Sequence, residues 1–116
     1  MSNGRHLILD LYDCDPAVLD DYTYLEEMLQ TAVRMSGATL LRIIGHKFEP
    51  EGVTLLALLA ESHASIHTWP QQKYAAVDLY TCRPDSADTK RAADFIKHKL
   101  QAQDAEQKDI ERKVVK

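Results

Sequence analysis

Apolar and polar positions alternate along this chain in two periods, and the switches between them mark its elements. HLILDLY, His6 to Tyr12, reads as a strand. Asp13-Cys14-Asp15-Pro16 stops it, with Asp15 placed as a helix N-cap and Pro16 at the first helical position, where a missing amide costs little. One long helix is expected next, because Val18, Tyr22, Leu25, Leu29 and Ala32 recur at alternating spacings of four and three and make a single apolar stripe. Asp20, Asp21, Glu27 and Gln30 form its solvent face, and Gly37 is its stop. Thr39 to Phe48 reads as the second strand, and Glu49-Pro50-Glu51-Gly52 as a turn into another at Val53. Leu55, Leu56, Ala57, Leu58, Leu59 and Ala60 run on as a buried strand, and the chain then turns abruptly polar at Glu61, Ser62 and His63.

From Ser62 the period is two: His63, Ser65 and His67 face one way, and Ser62, Ala64, Ile66 and Thr68 the other. Trp69 to Lys73 is a hairpin connection. Tyr74 to Cys82 is a strand whose Ala76, Asp78, Tyr80 and Cys82 share a face, ended by Arg83-Pro84. Asp85 or Ser86 caps a second helix, packed through Ala92, Phe95, Ile96 and Leu100; Asp109 to Val115 fits either a short edge strand or more helix. Strands outnumber helices and the turns are short. The expected fold is therefore α+β, a two-layer sandwich of one mainly antiparallel sheet with two helices on one face. Its other face then needs a partner.

Composition narrows the function. At 116 residues the chain, 1-116, is expected to be a single domain, small enough that an oligomer is a natural way to deepen a site. A net charge of -4 argues against nucleic-acid binding and suits a cationic small substrate. No apolar run reaches membrane-spanning length and no signal-peptide core precedes the first strand, so a cytoplasmic protein is expected. Cys14 and Cys82 lack the spacing of a disulfide framework. His63 and His67 share a face, but no carboxylate or cysteine joins them at ligand spacing, so no metal is expected. Two histidines and a serine on one strand face serve as hydrogen-bonded structural residues more often than they serve an active site.

Glu61-Ser62-His63, Ile66-His67-Thr68-Trp69-Pro70, Tyr74-Ala75-Ala76-Val77-Asp78 and Thr81-Cys82 together resemble the signature of the short prokaryotic S-adenosylmethionine decarboxylase proenzymes. Gly4-Arg5-His6-Leu7, Ser36-Gly37-Ala38-Thr39, His46, Phe48, Pro50 and Gly52-Val53 extend the likeness nearly end to end. The resemblance implies a dimerising protomer and a cut between Glu61 and Ser62, giving a 1-61 β chain and a 62-116 α chain. It also implies that Ser62 attacks its own preceding carbonyl and becomes a covalent pyruvoyl cofactor, with no pyridoxal phosphate. A substrate amine then forms an imine with that group, and the α-carboxylate leaves as CO2. His67 matches the family's processing base, and Thr54 stands where a serine usually helps to hold the tetrahedral intermediate. Cys82 matches the proton donor, a role suited to a thiol that is mostly protonated at neutral pH. Phe48 matches the residue that stacks on adenine. On the residues alone, Thr54 reads equally as a β-branched strand residue, Phe48 as an apolar strand end and Cys82 as a buried cysteine.

Ser62 and His67 are an odd number of residues apart, so on a regular strand they face opposite ways. The resemblance resolves this with sites shared in a homodimer, Ser62 and Cys82 of one protomer facing Phe48, Thr54 and His67 of its mate. This chain also departs from the family pattern. Gln71 replaces the glutamate that accepts from the ribose hydroxyls, and Lys73 and Arg83 replace glycines. Two substrate classes stay open as a result: S-adenosylmethionine, or arginine or ornithine decarboxylated by the same pyruvoyl chemistry, either feeding polyamine synthesis. A non-catalytic regulatory paralogue is the third reading, against which stand Ser62, His67 and Cys82 together.

Overall fold

In the computed structural model, which describes residues 3–82 and 86–116, six strands form one antiparallel sheet. They are β1 (Gly4–Tyr12), β2 (Leu40–Lys47), β3 (Val53–Leu59), β4 (His63–Trp69), β5 (Tyr74–Thr81) and β6 (Asp104–Arg112), in the order β2-β3-β4-β5-β1-β6. The helices are α1 (Pro16–Leu19), α2 (Tyr22–Met35) and α3 (Ser86–Lys99). Leu9 and Leu11 of β1, Leu55 of β3 and Ile66 of β4 are fully buried in one core with Leu25 and Leu29 of α2 and Ile96 of α3. This is the expected two-layer α+β architecture. Among the described residues no helix is long and apolar enough to cross a membrane.

The long first helix is broken in two. Asp15 caps α1, its side chain accepting from the Ala17 N–H, with Pro16 at the first position. Asp21 then takes an extended backbone and caps α2 by accepting from the Tyr24 N–H at 3.0 Å. The apolar stripe continues across this two-residue step, so periodicity alone does not reveal it. Asp20 is not a solvent-face residue either: its carboxylate accepts from the Gly52 N–H at 2.8 Å and pairs with Lys47 at 2.9 Å. At the far end of α2, Gly37 has φ 79, its N–H bonds the Arg34 carbonyl and the Ala38 N–H bonds that of Val33, which closes the helix as expected.

β3 differs from the expected buried strand. Leu55, Ala57 and Leu59 are in the core, but Leu56 and Leu58 are 46% and 55% exposed. An antiparallel sheet with helices on one face buries every second residue only, so the unbroken apolar run means that the open face of β3 is apolar as well. The ambiguous C-terminal stretch is a strand that starts earlier than expected. β6 is almost wholly polar and pairs with β1 from Asp104 to Arg112. Arg83, Pro84 and Asp85 and the side chain of Ser86 lie outside the described residues, and with them the expected end of β5 and cap of α3.

Candidate active site

β3 and β4 meet in a hairpin joined by Ala60, Glu61 and Ser62, and the Leu59 N–H donates to the Ser62 carbonyl at 2.9 Å. The loop is tied to the segment before β2 on both sides. The Ala60 N–H donates to the Thr39 carbonyl at 2.9 Å, and the Glu61 carboxylate accepts from the Thr39 N–H at 3.1 Å. The β4–β5 register pairs His63 with Tyr80, and continuing it by two residues sets Cys82 beside Glu61. The Cys82 thiol accordingly lies 3.6 Å from the Glu61 carbonyl oxygen, within reach of a sulfur donor. The Ser62 hydroxyl lies 3.4 Å from His63 Nδ1. A nucleophile, the carbonyl it would attack, a donor to that carbonyl and an imidazole thus meet at one tight turn.

Behind this turn the open sheet face carries a polar and aromatic network. His6 Nε2 and Asp78 Oδ1 are 2.9 Å apart, and Ser65 Oγ donates to Asp78 Oδ2 at 3.1 Å. The Tyr80 ring stacks on His6 with centroids 5.4 Å apart and meets the edge of His63 at 5.4 Å. Gly4 is where that ring needs room: a Cβ there would stand 2.4 Å from Tyr80.

His67 and Thr54 occupy the opposite end of the hairpin, paired across β3 and β4 with Thr54 Oγ1 and His67 Nδ1 3.0 Å apart. Phe48, Glu51, Thr54, His67, Trp69 and Gln72 line a cavity of about 300 Å³. Trp69 stacks on Tyr74, with centroids 5.2 Å apart. The turn that presents Phe48 and Glu51 is closed by the Phe48 N–H donating to the Gly52 carbonyl at 2.8 Å and is anchored by Asp20. The Gly52 N–H and Lys47 together hold the Asp20 carboxyl below its ordinary pKa.

Five residues separate Ser62 from His67, about 16 Å of strand at 3.3 Å per residue. Within one chain the expected processing pair is therefore kept apart, while Ser62 joins Cys82 and His67 joins Thr54 and Phe48. Gln71 is exposed beside the cavity, where its N–H donates to Glu51 Oε1 at 2.9 Å. Lys73 is a turn residue, not a pocket residue: with φ 57 and ψ 35 it holds the left-handed conformation that favours glycine. Sequence reasoning left His63 without a role, although it follows Ser62 directly, and passed over His6, Asp78, Tyr80 and Glu51. The β1–β5 pairing that joins His6 to Asp78 spans 72 residues, beyond the reach of any local motif. Among the described residues no three His, Cys, Asp or Glu side chains converge as a metal site.

Comparison with known proteins gives concordant results. The family model for S-adenosylmethionine decarboxylase matches residues 5–113. The chain is 56% identical over 100 residues to the S-adenosylmethionine decarboxylase proenzyme of Parasynechococcus marenigrum strain WH8102, covering 86% of this chain and 77% of that one. It is 50% identical over 109 residues to the proenzyme of the same name from Prochlorococcus marinus strain MIT 9313, covering 94% and 86%. The crystal structure of the adenosylmethionine decarboxylase from Aquifex aeolicus VF5 superimposes with a TM-score of 0.90 at 36% identity, over 99% of this chain and 94% of that one.

Proposed function

We propose that this chain, which belongs to the S-adenosylmethionine decarboxylase family, cuts itself between Glu61 and Ser62 and then removes the α-carboxylate of S-adenosylmethionine. The observation that carries the proposal is the turn itself, where the Ser62 hydroxyl follows a carbonyl already contacted by the Cys82 thiol. Cleavage would leave residues 1–61 as a β chain and 62–116 as an α chain that begins with a pyruvoyl group made from Ser62. When formed, that group supplies a ketone to capture a substrate amine and a neighbouring amide carbonyl to accept the electrons freed by CO2 loss. The surroundings of Ser62 fit this conversion: Cys82 can hydrogen-bond the oxygen that becomes negative during attack, and afterwards can deliver a proton.

The remaining residues belong to the other half of a shared site. Because His67, with Thr54 and Phe48 beside it, lies about 16 Å along the strand from Ser62, a two-fold pairing of open sheet faces is the arrangement that brings the two halves together. Exposed Ile44, Leu56 and Leu58 on that face supply an apolar surface for it. In the composite site His67 takes the Ser62 Cα proton as the intact ester eliminates and releases the Glu61 carboxylate, Thr54 orients His67, and Phe48 and Trp69 hold the adenine ring. Gln71 keeps an amide acceptor beside this cavity in place of a carboxylate.

The relatives' names support the nucleoside and give no support to arginine or ornithine as substrate. CO2 release from carboxyl-labelled S-adenosylmethionine, arginine and ornithine tests this directly. Turnover of the nucleoside alone is expected, and turnover of either amino acid in preference to it would contradict the proposal. Ser62→Ala is expected to abolish both cleavage and decarboxylation. A chain that releases CO2 from none of the three, with its backbone intact, would instead fit a regulatory paralogue.

A further inference from the structure

We propose that His63 is the base that takes the Ser62 hydroxyl proton in the acyl shift, so that the first step of self-cleavage is set up inside one protomer. The inference rests on the proposed cut between Glu61 and Ser62 and assigns a residue to it that lies apart from His67. His63 Nδ1 is in contact with Ser62 Oγ at 3.4 Å, and accepts the hydroxyl proton when the ring carries its own on Nε2. That separation is longer than a settled hydrogen bond, as is common for a catalytic contact before the reacting atoms move. The ring is held in place on its other sides. Tyr80 meets it edge-on with centroids 5.4 Å apart, His6 stands 6.5 Å away at 74°, and the Arg112 guanidinium, 5.0 Å from the centre of the Tyr80 ring, backs the stack. His67 cannot serve this step in its own chain, being about 16 Å along the strand, with its Nδ1 engaged by Thr54.

The step balances within the chain. Ser62 Oγ bonds to the Glu61 carbonyl carbon, its proton passes to His63 Nδ1, and the Cys82 S–H bonds the carbonyl oxygen as it takes up negative charge. When this tetrahedral centre collapses, the bond from carbon to the Ser62 nitrogen breaks and the proton on His63 moves to that nitrogen. An ester and a free amine result, with no proton or electron gained or lost. Two bases then divide the work: His63 at the hydroxyl before the ester, His67 at Cα after it.

Time courses of freshly synthesised full-length chain, with and without hydroxylamine, test the assignment, because hydroxylamine cuts an ester and leaves an amide intact. In His63→Ala, fragment formation is expected to slow by at least about 100-fold, the usual contribution of a general base, in both conditions, with free imidazole restoring part of it. His63→Gln, which keeps a polar side chain of similar reach, is expected to behave alike with an unchanged melting temperature. Three results would overturn the proposal: fragments from His63→Ala at the wild-type rate, fragments released from it only by hydroxylamine, which places the block after the ester, or slow cleavage in a folded variant that imidazole never restores. A wild-type chain that forms no fragments would instead remove the cut on which the inference rests.

Discussion

Cys82 owes its contact with the Glu61 carbonyl to register, since the pairing of His63 with Tyr80 brings residues 61 and 82 opposite each other at the end of the sheet. Its spacing from Ser62 is thus structural as well as chemical. The second cysteine shows the contrast. Cys14 is buried at the end of β1, and burial, helped by the Asp13 charge, pushes its thiol up to about 11. In the folded protein at neutral pH a thiol reagent is expected to label Cys82 and spare Cys14 until denaturant is added; prior labelling of Cys14 would contradict its burial. Asp20 belongs to the same scale. Its carboxyl is held below the ordinary value by the Gly52 N–H and Lys47, so the stability it contributes is present above the unfolded value of about 3.9 and is lost as pH falls through the lower folded value. Asp20→Asn is expected to lower the melting temperature at pH 7, and the gap from wild type is expected to be smaller at pH 3. A gap that is the same at both pH values would show that the charge is immaterial. Ser62, His67 and Cys82 are candidates that the family resemblance singles out one by one. Their distribution between two ends of a hairpin became visible only through the register of β3, β4 and β5.

At the scale of elements, local chemistry was readable and interruption was not. Asp15, Pro16 and Gly37 mark helix ends because their roles depend on the neighbouring few residues, and the structure uses all three as the sequence implies. The break at Asp20 and Asp21 escaped notice because an apolar stripe records direction and is blind to a capped two-residue step. β6 was missed in part for the opposite reason: it is an edge strand with hardly any apolar alternation, held by backbone pairing with β1 and by the Arg5–Asp109 ion pair at 2.9 Å. β3 was assigned correctly as a strand but with too much burial, because an apolar run does not reveal what covers its second face. α2 anchors that side of the core. Leu29→Ala, at a fully buried position, is expected to cost about 2–5 kcal/mol in chemical denaturation, and a loss below 1 kcal/mol would mean that the α2 layer is not tightly packed.

For the whole molecule, strand order ties the two proposed fragments together. β1, β2 and β3 precede the cut and β4, β5 and β6 follow it, yet the sheet runs β2-β3-β4-β5-β1-β6, so the pairs β3–β4, β5–β1 and β1–β6 all cross between fragments. A cut at the hairpin would leave the fold standing on these ladders and on the core they share. The open face completes the picture. Leu56→Glu places a charge in the middle of the surface proposed to pair, on a side chain already half exposed in one protomer. Sedimentation is expected to show a folded monomer that does not complete its cleavage, and a monomer that still cleaves itself would contradict the shared site. Conversion of Ser62 by the chain itself changes the mass of the protein, and intact mass spectrometry of freshly purified material under denaturing conditions reads that change. Two species are expected, residues 1–61 with a free carboxylate and residues 62–116 lighter than their encoded mass by one ammonia. A single unbroken chain, or a 62–116 fragment that keeps its full serine mass, would contradict it.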